Sequence, residues 1–110
     1  MPRVAVPSKD SSGLESTIEE HFGRAKYFTL IEIEDNRISS VEVVENPLKE
    51  HFPGELPRFL KKLGVEVVVV ERIGPRAKSF FESLNIKVLE GHRGRVKEII
   101  EKLLESGILI

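Results

Sequence analysis

The apolar positions change rhythm halfway along the chain. In the first half they alternate with polar ones, and in the second half they recur at helical spacing between short apolar runs. Arg3 to Val6 predicts a short strand, closed by Pro7 and Ser8. Lys9 to Glu20 is polar, with a loop signal at Asp10-Ser11-Ser12-Gly13 and room for one helical turn at Thr17 to Glu20. Tyr27 to Glu34 and Ile38 to Val44 are rich in aromatic and β-branched residues and read as strands. Asp35-Asn36-Arg37 between them predicts a hairpin turn, because Asp and Asn tolerate left-handed backbone. Asn46-Pro47 ends the second of these strands.

Leu56, Phe59, Leu60 and Leu63 then fall on one helix face, with Gly64 as its C-cap. Val65 to Val70 is apolar except for Glu66, the pattern of a strand covered on both sides. Gly74-Pro75 opens a second helix with Ala77, Phe80, Phe81 and Leu84 inward and Asn85 available to cap its end. Ile86 to Leu89 is another short strand. Gly91 to Gly94 is a loop, and Val96, Ile99, Ile100, Leu103 and Leu104 line a third helix that ends at Gly107. Alternating αβ units with short connections place parallel strands side by side through right-handed crossovers. The expected architecture is a three-layer α/β fold: a five-stranded mixed sheet in the order 3-2-1-4-5, strand 2 antiparallel to the rest, with helices on its faces. A flavodoxin-like sheet would need a crossover helix before Tyr27, and Lys9 to Glu20 is too polar to supply one.

Composition narrows the function. With 110 residues the chain is expected to form one domain over its whole length. Seventeen basic residues against eighteen acidic ones give a net charge of −1, which argues against a nucleic-acid partner. There is no cysteine, so this chain alone holds no disulfide, Cys-zinc site or thiolate-ligated iron–sulfur cluster. Gln and Trp are absent, the initiator Met is the only methionine, and Glu, Lys and Arg abound, as expected of a thermophile protein. No apolar run approaches a membrane span or a signal peptide, so a cytoplasmic protein without a membrane partner is expected.

Ligands of open α/β sheets sit beyond the carboxyl ends of the parallel strands. Ser8-Lys9, Ile73-Gly74-Pro75-Arg76 and Gly91-His92-Arg93-Gly94 are expected there. They offer a helix N-terminus, amides beside glycines, and the cationic groups of Arg76 and His92, a set suited to an anion. The blander reading is that Gly74-Pro75 only makes a tight strand-to-helix turn. In His21-Phe22-Gly23-Arg24, His21 is a candidate metal ligand and Arg24 a partner for an anion. Alternatively Phe22 plugs the core, Gly23 permits a turn, and His21 is simply exposed. Neither His51 nor His92 stands at a ligand-pair spacing from His21. No P-loop, nucleotide-binding glycine motif, serine-hydrolase elbow or zinc-protease helix is present. A metal-dependent nuclease or phosphoesterase would have to use Asp10 and nearby glutamates, because the first strand carries no carboxylate. Glu32, Glu34, Glu42 and Glu45 fit the wet side of a hairpin. A third reading is a regulatory or protein-interaction domain with no ligand.

Specific segments carry a family likeness. His21-Phe22-Gly23-Arg24-Ala25 followed by Tyr27-Phe28, Leu63 to Val69 followed by Ile73-Gly74-Pro75-Arg76-Ala77, and Leu84 to Val88 together resemble the signatures of the dinitrogenase iron–molybdenum cofactor biosynthesis family, the NifX-like or nitrogenase accessory factor-like domains. The resemblance runs from Val4 to about Leu104. It implies a ribonuclease-H-like sheet and a non-enzymatic binding or carrier role for an iron–molybdenum cofactor or its iron–sulfur precursor, with a protein partner in cofactor delivery. It places a cluster-holding histidine at His21 and the family's Ile-Gly-Pro loop at Ile73, Gly74 and Pro75. The chain departs from the family at Glu71-Arg72, where a glycine pair is usual; bulk and negative charge there would narrow the cleft or repel an anionic cluster.

Overall fold

The first strand, β1 (Arg3–Ser8), is the hinge of the architecture, because it pairs differently on its two sides. It runs antiparallel to β2 (Tyr27–Glu34) and parallel to β4 (Val67–Val69). β2 pairs antiparallel with β3 (Arg37–Glu45), and β4 pairs parallel with β5 (Lys87–Leu89). The sheet order is therefore β3-β2-β1-β4-β5, with β2 reversed, as the hairpin and the two αβ crossovers require. This computed structural model describes residues 2–47 and 54–109; His51 lies outside them.

The hairpin turn rests on Asp35 and Asn36, both in the left-handed region at φ 52° and 60°, which matches the twist of the two strands they join. Helix α1 (Glu55–Lys62) starts at Gly54, whose φ of 89° admits few other residues and where a Cβ would come within 3.0 Å of the Phe80 ring. Helix α2 (Pro75–Ser83) begins with proline at its first position, where a missing N–H costs nothing. Helix α3 (Val96–Glu105) buries Val96, Ile99, Ile100 and Leu103.

Alternation along the central strands splits the interior into two clusters. Val4, Val6, Ile31, Ile33, Val67 and Val69 face α3 with Ile18 and Leu109. Ala5, Phe28, Leu30, Val68 and Val70 face α1 and α2, where they meet Phe22, Leu56, Leu60, Phe81 and Ile86. Helices thus lie on both faces of one sheet.

Two local expectations change. β1 continues through Pro7 and Ser8. The Pro7 carbonyl accepts the Glu19 N–H at 2.8 Å, so the proline nitrogen also faces away from β2 and no bond to that strand is lost. The helical turn expected at Thr17 to Glu20 is absent: Ile18 bridges Ser8, and Thr17 bridges Arg95, both antiparallel. Their backbone groups find partners across the chain, which outweighs the weak local helical preference. A 3₁₀ turn sits earlier, at Gly13–Glu15.

Candidate functional site

The polar segment ends in a second 3₁₀ turn, Phe22–Arg24. Its side chains separate by destination. Phe22 is buried, with its ring 5.8 Å from that of Phe28 on β2 and 5.2 Å, edge to face, from that of Phe81 on α2. His21 is half-buried and makes no capping hydrogen bond through its side chain; its backbone N–H donates to Glu19 Oε2 at 3.3 Å. Arg24 is exposed.

Beyond β4 the chain passes close to this turn. Arg72 N–H donates to the Glu20 carbonyl and Phe22 N–H to the Arg72 carbonyl, each at 3.1 Å, so His21 and Arg72 form a parallel bridge. The bridge sets the two motif segments face to face. Between them lies a cleft of about 240 Å³, lined by His21, Phe22, Gly23, Arg72, Ile73 and Gly74. No carboxylate is among these residues.

Both glycines in the lining lack a conformational reason to be glycine. Gly74 has φ −70° and ψ 155°, ordinary extended backbone, and neither it nor Gly23 has a positive φ. A Cβ built on either meets nothing within 4 Å. The tight-turn explanation therefore does not account for Gly23 or Gly74. Their effect is to keep side-chain volume out of the cleft and leave backbone exposed along its walls.

The remaining candidates sit around this core. Pro75 and Arg76 are exposed in the first turn of α2, next to Gly74. The loop after β5 is tied to the same stretch, with Gly91 N–H donating to the Glu71 carbonyl at 3.1 Å and His92 N–H to the Val70 carbonyl at 3.2 Å. Yet His92 lines a neighbouring depression of about 280 Å³, together with Gly91, Arg93, Glu98, Ile99 and Lys102. Lys9 directly follows β1 at its carboxyl end, and its backbone N–H donates to the Thr17 carbonyl at 3.0 Å.

Glu71-Arg72 divides in an unforeseen way. The Glu71 carboxylate accepts from Arg93 Nε at 3.3 Å and its side chain is only 13% exposed, whereas Arg72 lines the cleft. From the sequence, the negative side chain of this pair is expected to narrow the cleft or repel an anion; instead Glu71 is turned onto Arg93 and the cation Arg72 lines the cleft. A cation there was missed.

Asp10, the carboxylate an enzymatic reading would need, is engaged locally. Ser12, with help from Ser16, holds its carboxyl below the usual aspartate range; the Ser12 N–H lies 3.0 Å from Asp10 Oδ1. Among the described residues, no group of three or more His, Cys, Asp or Glu is placed to hold a metal ion. No helix among them is long and apolar enough to cross a membrane.

Known proteins resemble this chain over most of its length. The protein MJ0580 of Methanocaldococcus jannaschii is 32% identical over 107 residues, spanning 94% of this chain and 86% of that one. The crystal structure of PH0822 matches with a TM-score of 0.88 at 40% identity, covering 94% of this chain and 91% of the other. The NMR structure of TM1290 from Thermotoga matches with a TM-score of 0.76 at 30% identity, over 97% and 90% of the two chains. The model of one family, dinitrogenase iron–molybdenum cofactor, matches residues 2–106. Resting on that near-complete match and on the two motif segments that meet across the cleft, the assignment is plain: the chain belongs to the dinitrogenase iron–molybdenum cofactor family.

Proposed function

We propose that this chain is a single-domain binding or carrier protein, not a catalyst, whose cargo is an anionic iron–sulfur or iron–molybdenum type cluster or a related metal complex. The cargo would sit in the cleft between the Phe22–Arg24 turn and the start of α2. The observation that carries this reading is the pair of cleft glycines, Gly23 and Gly74, which neither backbone geometry nor packing demands. Walls left open at two glycines suit a bulky cargo approached closely by backbone amides.

In this reading His21 is the protein's metal ligand, since a neutral imidazole is a good donor to iron. The chain has no cysteine, so the rest of the coordination belongs to the cargo's own sulfides or to solvent. Arg24 and Arg76 flank the two walls and add positive potential, Gly74 and Pro75 shape one wall, and His92 offers a polar ring from the adjoining depression. A site open at the surface suits transfer to a protein partner in cofactor delivery. We read the mixed sheet as ribonuclease-H-like in class.

The test is anaerobic reconstitution with an iron–sulfur cluster, followed by iron and sulfide analysis after gel filtration. His21→Ala is expected to cut retention by about ten-fold or more, at least the loss seen when a ligand's supporting partner is removed. Its melting temperature should barely move, because a half-buried loop side chain that makes no capping hydrogen bond contributes little. Equal retention by parent and variant would remove His21 from the site.

A further inference from the structure

Arg72 sits in the cleft in an unusual mechanical state. Its main chain is clamped on both sides by the bridge to Glu20 and Phe22, at 3.1 Å each. Its side chain is not: it is 62% exposed and held only by a 3.7 Å ion pair from Nη1 to Oε1 of Glu20, itself 46% exposed. Such a long, solvent-screened pair is weak and easily exchanged. The root of Arg72 is therefore fixed at the cleft wall while its guanidinium can change partners.

The surrounding charge favours that exchange. Among the described residues Arg72 is the sole permanently charged one lining the cleft, and the adjacent Glu71 carboxylate is turned away onto Arg93. A guanidinium presents a planar set of donors matched to anionic oxygen or sulfur edges.

We infer that Arg72 is the charge-recognition residue of this cleft, and that Glu20 holds its guanidinium in reserve until an inorganic anion carrying at least two negative charges takes Glu20's place. For the identity of the cargo this rests on the carrier reading; the recognition itself does not. Arg72 exchanges one carboxylate for a ligand of higher charge, so neutral and singly charged species gain little from the exchange. The side chain at position 72 thus selects cargo by charge, while His21 selects by metal.

The experiment is calorimetric titration with molybdate, a tetrahedral dianion, at low ionic strength, using the full chain and two variants. Parent protein is expected to bind. Arg72→Gly should weaken binding ten-fold or more, and Glu20→Gln should strengthen it about three-fold or more by releasing the guanidinium. Thermal melts on both variants confirm that they are folded, and Arg72→Lys should restore only part of the lost affinity. Unchanged affinity in Arg72→Gly, no gain in Glu20→Gln, or no molybdate binding by the parent would each overturn the inference. Iron retention after cluster reconstitution is measured in parallel. Retention by the parent with no Arg72 effect on molybdate leaves the carrier reading standing alone, and the opposite pattern leaves the charge recognition alone.

Discussion

The two faces of the sheet are built from different materials. The apolar cluster under α3 is aliphatic: Val4, Val6, Ile31, Ile33, Val67 and Val69 against Val96, Ile99, Ile100 and Leu103. The face under α1 and α2 carries Phe22 with its ring against those of both Phe28 and Phe81. The difference follows from what each face supports. On the aliphatic side the helix need only cover the sheet. On the aromatic side one ring, Phe22, belongs to the turn that forms one wall of the cleft, and another, Phe81, belongs to the helix whose start forms the other. The aromatic contact fixes the spacing of the two walls, so His21 and Gly23 need not be buried to be held.

Substituting Phe22 tests this difference most severely. Phe22→Ala should cost about 3–5 kcal/mol in denaturant unfolding and should also weaken cargo retention, because the turn loses its anchor. Ile100→Ala on the opposite face should cost about 2–5 kcal/mol yet leave retention unchanged in the folded fraction. If both variants lose retention alike, the two faces do not divide stability from function.

A buried hydroxyl pair lies on the α3 side. Ser8 Oγ and Thr29 Oγ1 are 2.7 Å apart and both residues are fully buried. Ser8→Ala deprives Thr29 of that partner and should cost about 1–3 kcal/mol, again without effect on the cleft. Melting curves together with molybdate titration check both halves of the claim.

Gly23→Ala should move stability and binding in opposite directions. Alanine lowers the entropy of the unfolded chain and meets no obstacle here, so stability should rise by about 0.4–1 kcal/mol. Cargo retention should fall, since a methyl now stands on the cleft wall. A loss of stability would mean that the turn needs glycine after all.

The smallest effect is expected at Asp10. Its carboxyl is held below the ordinary aspartate range, chiefly by Ser12, so the folded state binds the proton less readily than the unfolded chain does. That contribution is present above the unfolded value and is lost as pH falls through the lower folded one. Asp10→Asn should slightly flatten the acid limb of the stability curve and leave the cleft unaffected. Loss of a hydrolytic activity in this variant would instead revive the enzymatic reading.

Much of the fold was legible because its signals are local. Tyr27 to Glu34 forms a strand with those bounds, and Gly74-Pro75 starts α2, because alternation, turn residues and proline act within a few positions. Thr17 and Ile18 were not legible as extended chain, since their partners Arg95 and Ser8 are set by tertiary placement. The cleft was half legible. The motif segments containing His21 and Gly74 could be named, but Arg72 enters only through the bridge to His21, which no local pattern encodes. The freedom of Gly23 and Gly74 from conformational need is likewise visible only in backbone angles and neighbouring space.

The bridge between His21 and Arg72 joins residues about fifty positions apart, and closing so long a loop is entropically expensive. The β2–β3 hairpin can zip locally as soon as it is made, but the cleft waits for β4 to dock against β1. A nascent chain therefore has its histidine early and its binding site late. A chain that starts to unfold by undocking β4 loses the site before it loses the hairpin. If the cleft carries the proposed cargo, that cargo is accepted only by finished molecules and released by those beginning to fail, so holding it depends on the integrity of the fold.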